Sequence, residues 1–311
     1  MASLDNFVRL PNGVRMPIFG LAACPFCSLP GTSHGGGYDQ ESVIYALREC
    51  NYRLIDTARR YGCEHLIGKA IKESGIPRES VFLATKMWPT DYGTESAIQA
   101  AKSSLTRLDT DHLDLYMMHW PLCPSSVDDV RSTLDNAWRG MERLLDEGTC
   151  RSIGVSNFSI QDLIGLMENC SVVPHVNQCE FHPYQNPKEL RAFCRENKIE
   201  FQGYCPLANG MILKEPPVVK VAQSAGRSPA QVLIRWSIQN GVVTIPKSIK
   251  KERIQENCQV FDFELSPQEM AELDNIPKTF RAVDPAELQG KIDDNKPDGY
   301  KLPSHLQYVP M

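Results

Sequence analysis

Eight short, mostly apolar segments alternate with amphipathic helical segments, a rhythm that predicts an α/β fold, the (β/α)8 TIM barrel. The apolar segments are rich in β-branched residues, as expected for parallel strands that are buried on both faces. No shift in composition along residues 1–311 marks a second domain. We therefore expect a single barrel domain with an N-terminal β-hairpin and, at the C-terminus, an extra helix and a tail.

The predicted hairpin precedes the barrel. Residues 7–16 contain two short strand-like runs around Asn12 and Gly13, and an Asn-Gly pair is a strong signal for a tight hairpin turn. The first barrel strand is predicted at residues 18–21. Residues 22–38 are rich in Pro, Gly and Ser and predict a loop.

The remaining elements follow in strict alternation. The other predicted strands are residues 52–56, 81–86, 113–119, 152–156, 175–179, 200–205 and 242–246. The predicted helices are residues 39–50, 64–74, 94–108, 127–147, 159–169, 187–197, 216–225, 230–239 and 251–259. Asp39 is expected to cap the first of these helices, and Gly148 is expected to end the fourth. Residues 266–276 predict the extra helix, and residues 281–311 a Pro-rich tail over the barrel.

An open, doubly wound sheet is the competing topology. Its dinucleotide-binding version carries Gly-x-Gly-x-x-Gly after an early strand, and the sequence contains no such motif. A nicotinamide cofactor would therefore have to bind by other means.

Composition argues against several classes of function. Hydrophobic residues make up 42% of the chain and charged residues 23%, which is ordinary for a globular protein with a large core. The net charge of -5 argues against general binding of nucleic acid. The sequence shows no secretory signal and no run of the ~18 apolar residues that a membrane span needs, so we expect a cytoplasmic protein that does not bind a membrane.

The 11 cysteines do not indicate a disulfide framework, because their number is odd and their spacing irregular. Cys24 and Cys27 form a Cys-x-x-Cys pair, which we interpret first as two free thiols in a loop. A redox switch or half of a metal site is the alternative. No other metal site is predicted.

Polar residues stand at the carboxyl ends of most predicted strands, where a TIM barrel carries its catalytic groups. They are Asp56, Lys86, His119, Ser156, Asn157, Gln178, Tyr204, Lys247 and Ser248. Taken singly, each has a simpler explanation, since Asp56 can cap a helix, Lys86 can be solvated and His119 can be a core histidine. A hydrophobic core would need a buried partner for each of them, so their occurrence together favours a shared functional site.

Three local sequences make this pattern specific. Residues 54–62 contain Asp56 and Tyr61, residues 83–88 contain Lys86, and residues 116–121 contain His119. With these motifs the chain resembles the aldo-keto reductase family from the hairpin to about Phe263. The resemblance implies an oxidoreductase that reduces aldehydes or ketones to alcohols with NADPH.

The same resemblance implies a catalytic role for four residues. Tyr61 is expected to be the general acid, because a phenol with a usual pKa of ~10 keeps its proton at neutral pH. The Lys86 ammonium would lower that pKa, and Asp56 would hold Lys86 in place. His119 would donate a hydrogen bond to the carbonyl oxygen. One subclass that reduces steroid double bonds has Glu at this position, so His119 favours carbonyl reduction.

The resemblance also implies the NADPH site. Ser156, Asn157 and Gln178 would bind the carboxamide, and Tyr204 would stack on the nicotinamide. The expected cofactor residues are Gly20, Asp56, Ser156, Asn157, Gln178, Tyr204, Leu207, Lys247, Ser248, Arg253 and Asn257. The last four form the expected site for the 2′-phosphate, which favours NADPH over NADH. A solvated basic turn at residues 247–251 is the simpler alternative.

Around the substrate the chain departs from the family pattern. Family members often have Gly-Thr-Trp after the first strand, whereas this chain has Ala22-Ala23-Cys24. We expect Cys24, Trp88 and Trp120 to contact the substrate. The loop at residues 208–211 is short and resembles the shorter-loop members of the family.

Two other functions are compatible with these residues. Some family members are structural lens proteins or cofactor-sensing channel subunits. The presence of the catalytic tetrad (Asp56, Tyr61, Lys86 and His119) does not exclude such a role. Peroxide sensing by Cys24 and Cys27 is a third hypothesis. The leading hypothesis predicts a small-molecule carbonyl substrate and a monomer, and the sequence does not name the substrate.

Overall fold

Eight parallel strands form a barrel in the computed structural model, which describes residues 6–23, 38–283 and 288–293. The antiparallel hairpin consists of β1 (Phe7–Arg9) and β2 (Arg15–Pro17). The barrel strands are β3 (Leu21–Ala22), β4 (Leu54–Asp56), β5 (Phe82–Met87), β6 (Leu115–Met118), β7 (Ile153–Ser156), β8 (Val176–Glu180), β9 (Glu200–Tyr204) and β10 (Val243–Ile245). They pair in chain order, which confirms the predicted barrel and hairpin.

The segment just before β3 is hydrogen-bonded to β10, and these contacts join the two ends of the sheet. Phe19 forms a parallel bridge with Thr244, and the Gly20 amide donates to the Thr244 carbonyl over 3.0 Å. The first barrel strand therefore differs from the one predicted at residues 18–21, because only Leu21–Ala22 form a regular strand here. Glycine is required at position 20, because a Cβ there would lie 2.5 Å from Leu54 Cγ.

The described helices largely match the predicted ones. They are α1 (Gln40–Arg48), α2 (Glu64–Ser74), α3 (Thr94–Leu108), α4 (Val130–Asp146), α5 (Ile160–Asn169), α6 (Lys188–Glu196), α7 (Pro216–Ala225), α8 (Pro229–Gln239), α9 (Lys251–Cys258), α10 (Pro267–Asp274) and α11 (Leu288–Asp293). Asp39 caps α1 by accepting the Ser42 amide at 2.8 Å, as predicted. The fourth helix begins at Val130 rather than at residue 127, because Asp129 is its cap. None of the helices in the described ranges has the length and apolar content needed to cross a membrane.

The C-terminal region contains two helices beyond the barrel. The extra helix is confirmed as α10, which is capped by the Ser266 hydroxyl. The helix α11 lies within residues 281–311, for which the sequence predicts only a Pro-rich tail over the barrel. Asp293 anchors α11 by accepting the Ser125 amide at 2.7 Å. Most of the predicted loop at residues 22–38 lies outside the described residues.

Alternation along the strands decides which side chains enter the barrel. The hydrophobic cluster that contains interior residues Leu54, Ala84 and Met117 also contains Leu10 and Met16 of the hairpin region. The hairpin therefore packs against the interior of the barrel. Asp56, Lys86 and His119 stand two residues after Leu54, Ala84 and Met117, so the same alternation directs them inward at the carboxyl ends of their strands.

Candidate active site

A buried ion pair joins the carboxyl ends of β4 and β5. Lys86 Nζ donates to Asp56 Oδ1 over 2.6 Å and to the Thr57 carbonyl over 2.9 Å. The exposed fractions of the Lys86 and Asp56 side chains are 0% and 3%. A buried ammonium costs several kcal/mol unless it is paired and hydrogen-bonded, so these contacts fix where Lys86 can lie.

Tyr61 and His119 lie next to this pair. Tyr61 ends the 3₁₀ turn Arg59–Tyr61, and the centre of its ring is 5.3 Å from Lys86 Nζ. His119 follows β6 and packs edge-on against Tyr61, with 5.6 Å between the ring centres. The structure thus brings together all four residues of the predicted tetrad.

His119 is neutral at physiological pH. Burial, together with the nearby charges of Lys86 and Arg60, holds the pKa of His119 well below its usual range. Its Nδ1 is buried and has no hydrogen-bond partner among the described residues, while the ring lines a cavity. Because an orphaned buried N–H is rarer than an unused acceptor, we assign the proton to Nε2. His119 can then donate to a ligand in the cavity.

Gln178 extends the polar layer around Asp56. Its Nε2 donates to Asp56 Oδ2 over 2.8 Å and to Gln202 Oε1 over 2.6 Å. Both carboxylate oxygens of Asp56 are therefore engaged. Gln202 is not among the predicted site residues, although its position two residues before Tyr204 on β9 places both on the same face.

Ser156, Asn157 and Tyr204 form a chain of hydrogen bonds that joins the ends of β7 and β9. The Tyr204 hydroxyl donates to Asn157 Oδ1 over 2.8 Å, and Asn157 Nδ2 donates to the Ser156 hydroxyl over 3.0 Å. Asn157 Nδ2 also donates to the backbone carbonyl of His119 over 2.9 Å. Burial, together with the nearby Glu180 carboxylate, raises the pKa of Tyr204 well above its usual range, so the hydroxyl keeps its proton and acts as a donor.

Glu180 ties the C-terminal segment to the barrel. Its carboxylate accepts the Ala282 amide at 2.5 Å and the Val283 amide at 3.0 Å, and it lies 2.8 Å from His182 Nε2. Ala282 and Val283 in turn line the cavity. Glu180 is not among the predicted site residues, although its position two residues after Gln178 on β8 indicates the same inward face.

A cavity of about 800 Å³ lies at the carboxyl ends of the strands, and many of the predicted site residues line it. The predicted site residues that line it are Asp56, Tyr61, Trp88, His119, Trp120, Ser156, Asn157, Gln178, Tyr204, Leu207, Lys247, Ser248, Arg253 and Asn257. Lys86 is buried behind this surface. Gly20, predicted to bind the cofactor, packs against Leu54 and is not part of the lining as far as the described residues show. Cys24 and Cys27 lie outside the described residues.

The helix α11 covers part of this cavity. Its residues Leu288 and Ile292 pack in one hydrophobic cluster with Trp88 and Trp120. Arg60, which lines the cavity and directly precedes Tyr61, is also not among the predicted site residues. The sequence feature that could have indicated it is the pair of arginines, Arg59 and Arg60, next to the predicted general acid. No group of three or more His, Cys, Asp or Glu side chains suited to a metal ion occurs in the described part of the chain.

Comparison with known proteins agrees with this geometry. The model of the aldo/keto reductase family matches residues 36–278. An uncharacterized oxidoreductase of Caenorhabditis elegans is 44% identical over 302 residues, which cover 97% of this chain and 90% of the relative. Glyoxal reductase of Bacillus subtilis is 42% identical over 279 residues, which cover 90% of this chain and 95% of the relative. The crystal structure of a Bombyx mori aldo-keto reductase in complex with NADP has a TM-score of 0.83 and 29% identity, covering 91% of this chain and 96% of that one.

His119 should remain neutral when the protein is acidified. Because burial and two cationic neighbours disfavour the imidazolium, protonation requires a pH well below the usual midpoint of ~6.5. Long-range ¹⁵N–¹H correlation spectra should show a neutral ring with Nε2 protonated at pH values below ~6.5, where an ordinary histidine is mostly charged. The signals are assigned by their loss in His119→Asn. A titration of His119 centred near the usual midpoint would contradict this assignment.

Proposed function

This chain belongs to the aldo/keto reductase family, and on that premise we propose that it reduces aldehydes or ketones to alcohols with NADPH, with Tyr61 as the proton donor. One observation carries the proposal. The buried Lys86 ammonium, held 2.6 Å from Asp56, lies 5.3 Å from the centre of the Tyr61 ring at the mouth of the barrel. Proton donation to a carbonyl oxygen is the chemistry that this arrangement supports best.

The position of Lys86 explains why Tyr61 can release a proton. A nearby positive charge stabilises the phenolate relative to the phenol. The effect is strong here because Lys86 is fully buried, where charges are screened less than in water. Asp56 and Thr57 fix the ammonium before the reaction starts, so little reorganisation is needed as negative charge develops on the carbonyl oxygen.

The charge state of His119 decides between the two candidate acids. A histidine whose pKa is well below its usual range carries no second proton to give at neutral pH. Its Nε2–H can still donate a hydrogen bond to the carbonyl oxygen. We therefore assign proton transfer to Tyr61 and orientation of the carbonyl group to His119.

The cavity lining fits NADPH. Lys247 and Ser248 lie in the turn before α9, and Arg253 lies in the first turn of that helix. Their two positive charges and one hydroxyl suit a dianionic 2′-phosphate. The amides of Asn157 and Gln178 line the same cavity and suit the carboxamide of the cofactor. When bound, the reduced nicotinamide supplies the hydride that no side chain can provide. The NADP complex of the Bombyx mori relative supports this choice of cofactor.

Replacing Tyr61 by Phe should nearly abolish carbonyl reduction. The variant loses the proton donor, and we expect kcat/KM for 4-nitrobenzaldehyde with NADPH to fall about 10²- to 10⁴-fold. NADPH binding, followed by fluorescence titration, should be unchanged. The control is Tyr38→Phe, whose hydroxyl donates to the Leu66 carbonyl. Wild-type turnover in Tyr61→Phe would refute the assignment of the acid, and NADPH binding by the wild-type protein without turnover would favour a non-enzymatic role.

Replacing Arg253 by Ala should weaken NADPH much more than NADH, because only NADPH carries the 2′-phosphate. We expect the KM for NADPH to rise about tenfold or more, the effect of losing one charge-assisted hydrogen bond, with little change for NADH. Lys251→Ala is the matched control on the same helix, since Lys251 lies 3.8 Å from Glu41 and is not among the described lining residues. Equal changes for the two cofactors would exclude phosphate recognition by Arg253.

A further inference from the structure

Gln202 is a fully buried amide in the middle of β9 that the proposed reaction does not use. Its exposed fraction is 0%, and it is not among the described residues that line the cavity. A buried amide costs free energy unless its polar atoms are hydrogen-bonded. The partners of Gln202 therefore show what it holds in place.

Gln202 links the hairpin to the polar layer at the strand ends. Its Nε2 donates to the sulfur of Met16 over 4.0 Å, and its Oε1 accepts from Gln178 Nε2 at 2.6 Å. Met16 is fully buried on β2 and belongs to the hydrophobic cluster in the interior of the barrel. A thioether accepts a hydrogen bond but donates none, so the contact with Met16 directs the Gln202 oxygen towards Gln178.

The acceptors around Gln178 use both of its N–H groups. One N–H donates to Asp56 Oδ2 over 2.8 Å, and the other donates to Gln202 Oε1 over 2.6 Å. A reversed Gln178 amide would place its oxygen against a carboxylate oxygen that can only accept, which fixes the assignment of the two amide atoms. Because Gln178 lines the cavity, its oxygen is the atom that remains for a ligand there.

Asn157 has the same polarity. Its Nδ2 donates to the His119 carbonyl over 2.9 Å and to the Ser156 hydroxyl over 3.0 Å, so both of its N–H groups are engaged as well. Asn157 and Gln178 therefore offer acceptors to the cavity that they both line. The amino group of a carboxamide, which has two donors, is complementary to such a pair.

We propose that Gln202 is a positioning residue for the cofactor. By engaging the second N–H of Gln178, it holds the Gln178 oxygen ready to accept from the amino group of the nicotinamide carboxamide. This inference rests on the proposed use of NADPH. Asp56 alone would hold Gln178 by one hydrogen bond, about which the amide can turn. Two acceptors leave a single orientation, so the amide does not have to reorganise when the cofactor binds.

The 3-acetylpyridine analogue of NADP⁺ tests the inference, because a methyl group replaces the amino group of its carboxamide. The measured quantity is the Kd of the analogue divided by the Kd of NADP⁺, each obtained from the quenching of tryptophan fluorescence. In Gln202→Met this ratio should fall about 3- to 10-fold, the effect of one hydrogen bond between neutral groups. Gln202→Glu keeps an oxygen that accepts from Gln178, and it should keep most of the ratio.

Gln231→Met is the matched control. Gln231 is also a buried glutamine, but its Nε2 donates to the Gln259 carbonyl over 3.0 Å, and it is not among the described residues that line the cavity. Its replacement should leave the ratio unchanged. Should Gln202→Met fail to fold, Gln202→Leu takes its place with the same expected fall.

The outcomes separate the positioning role from the proposed function. A wild-type ratio near one, an unchanged ratio in Gln202→Met, or an equal fall in Gln231→Met would overturn the role of Gln202 while leaving the reductase function intact. Binding of neither compound by the wild-type protein would overturn both.

Discussion

The ion pair between Lys86 and Asp56 is the constraint on which the rest of the site depends. Two charges that are almost fully removed from water are tolerated only if each finds partners, and here the ammonium contacts Asp56 and Thr57 while the second carboxylate oxygen accepts from Gln178. These partners come from three separate strands or the turns that follow them. The barrel must therefore close with the correct register before Lys86 can lie beside Tyr61.

The charged groups of the cavity have distinct tasks in the proposed mechanism. Lys86 lies behind the lining and would act on Tyr61, whereas Arg253 lines the cavity and would contact the cofactor phosphate directly. The same positive surroundings, added to burial, keep His119 neutral. In the proposed mechanism, one electrostatic environment thus makes proton release from Tyr61 easier and limits His119 to hydrogen bonding.

The sequence is most informative at the strand ends. Asp56, Lys86 and His119 are predicted from their positions at the carboxyl ends of predicted strands and from the family resemblance, and alternation along the strands directs all three side chains inward. Glu180 and Arg60 were missed for different reasons. Glu180 bonds to Ala282 and Val283, a contact between residues about a hundred positions apart that no local pattern reveals. Arg60 stands in an irregular turn, where periodicity does not indicate which of two arginines enters the cavity.

The pH dependence of carbonyl reduction in Lys86→Met tests the central claim most directly. Without the ammonium, the phenol should hold its proton more tightly, so kcat/KM should fall about 10²-fold or more and its alkaline limb should move to higher pH than in the wild-type protein. Retention of both the wild-type rate and the wild-type alkaline limb would show that Lys86 does not tune the acidity of Tyr61, and would contradict the account.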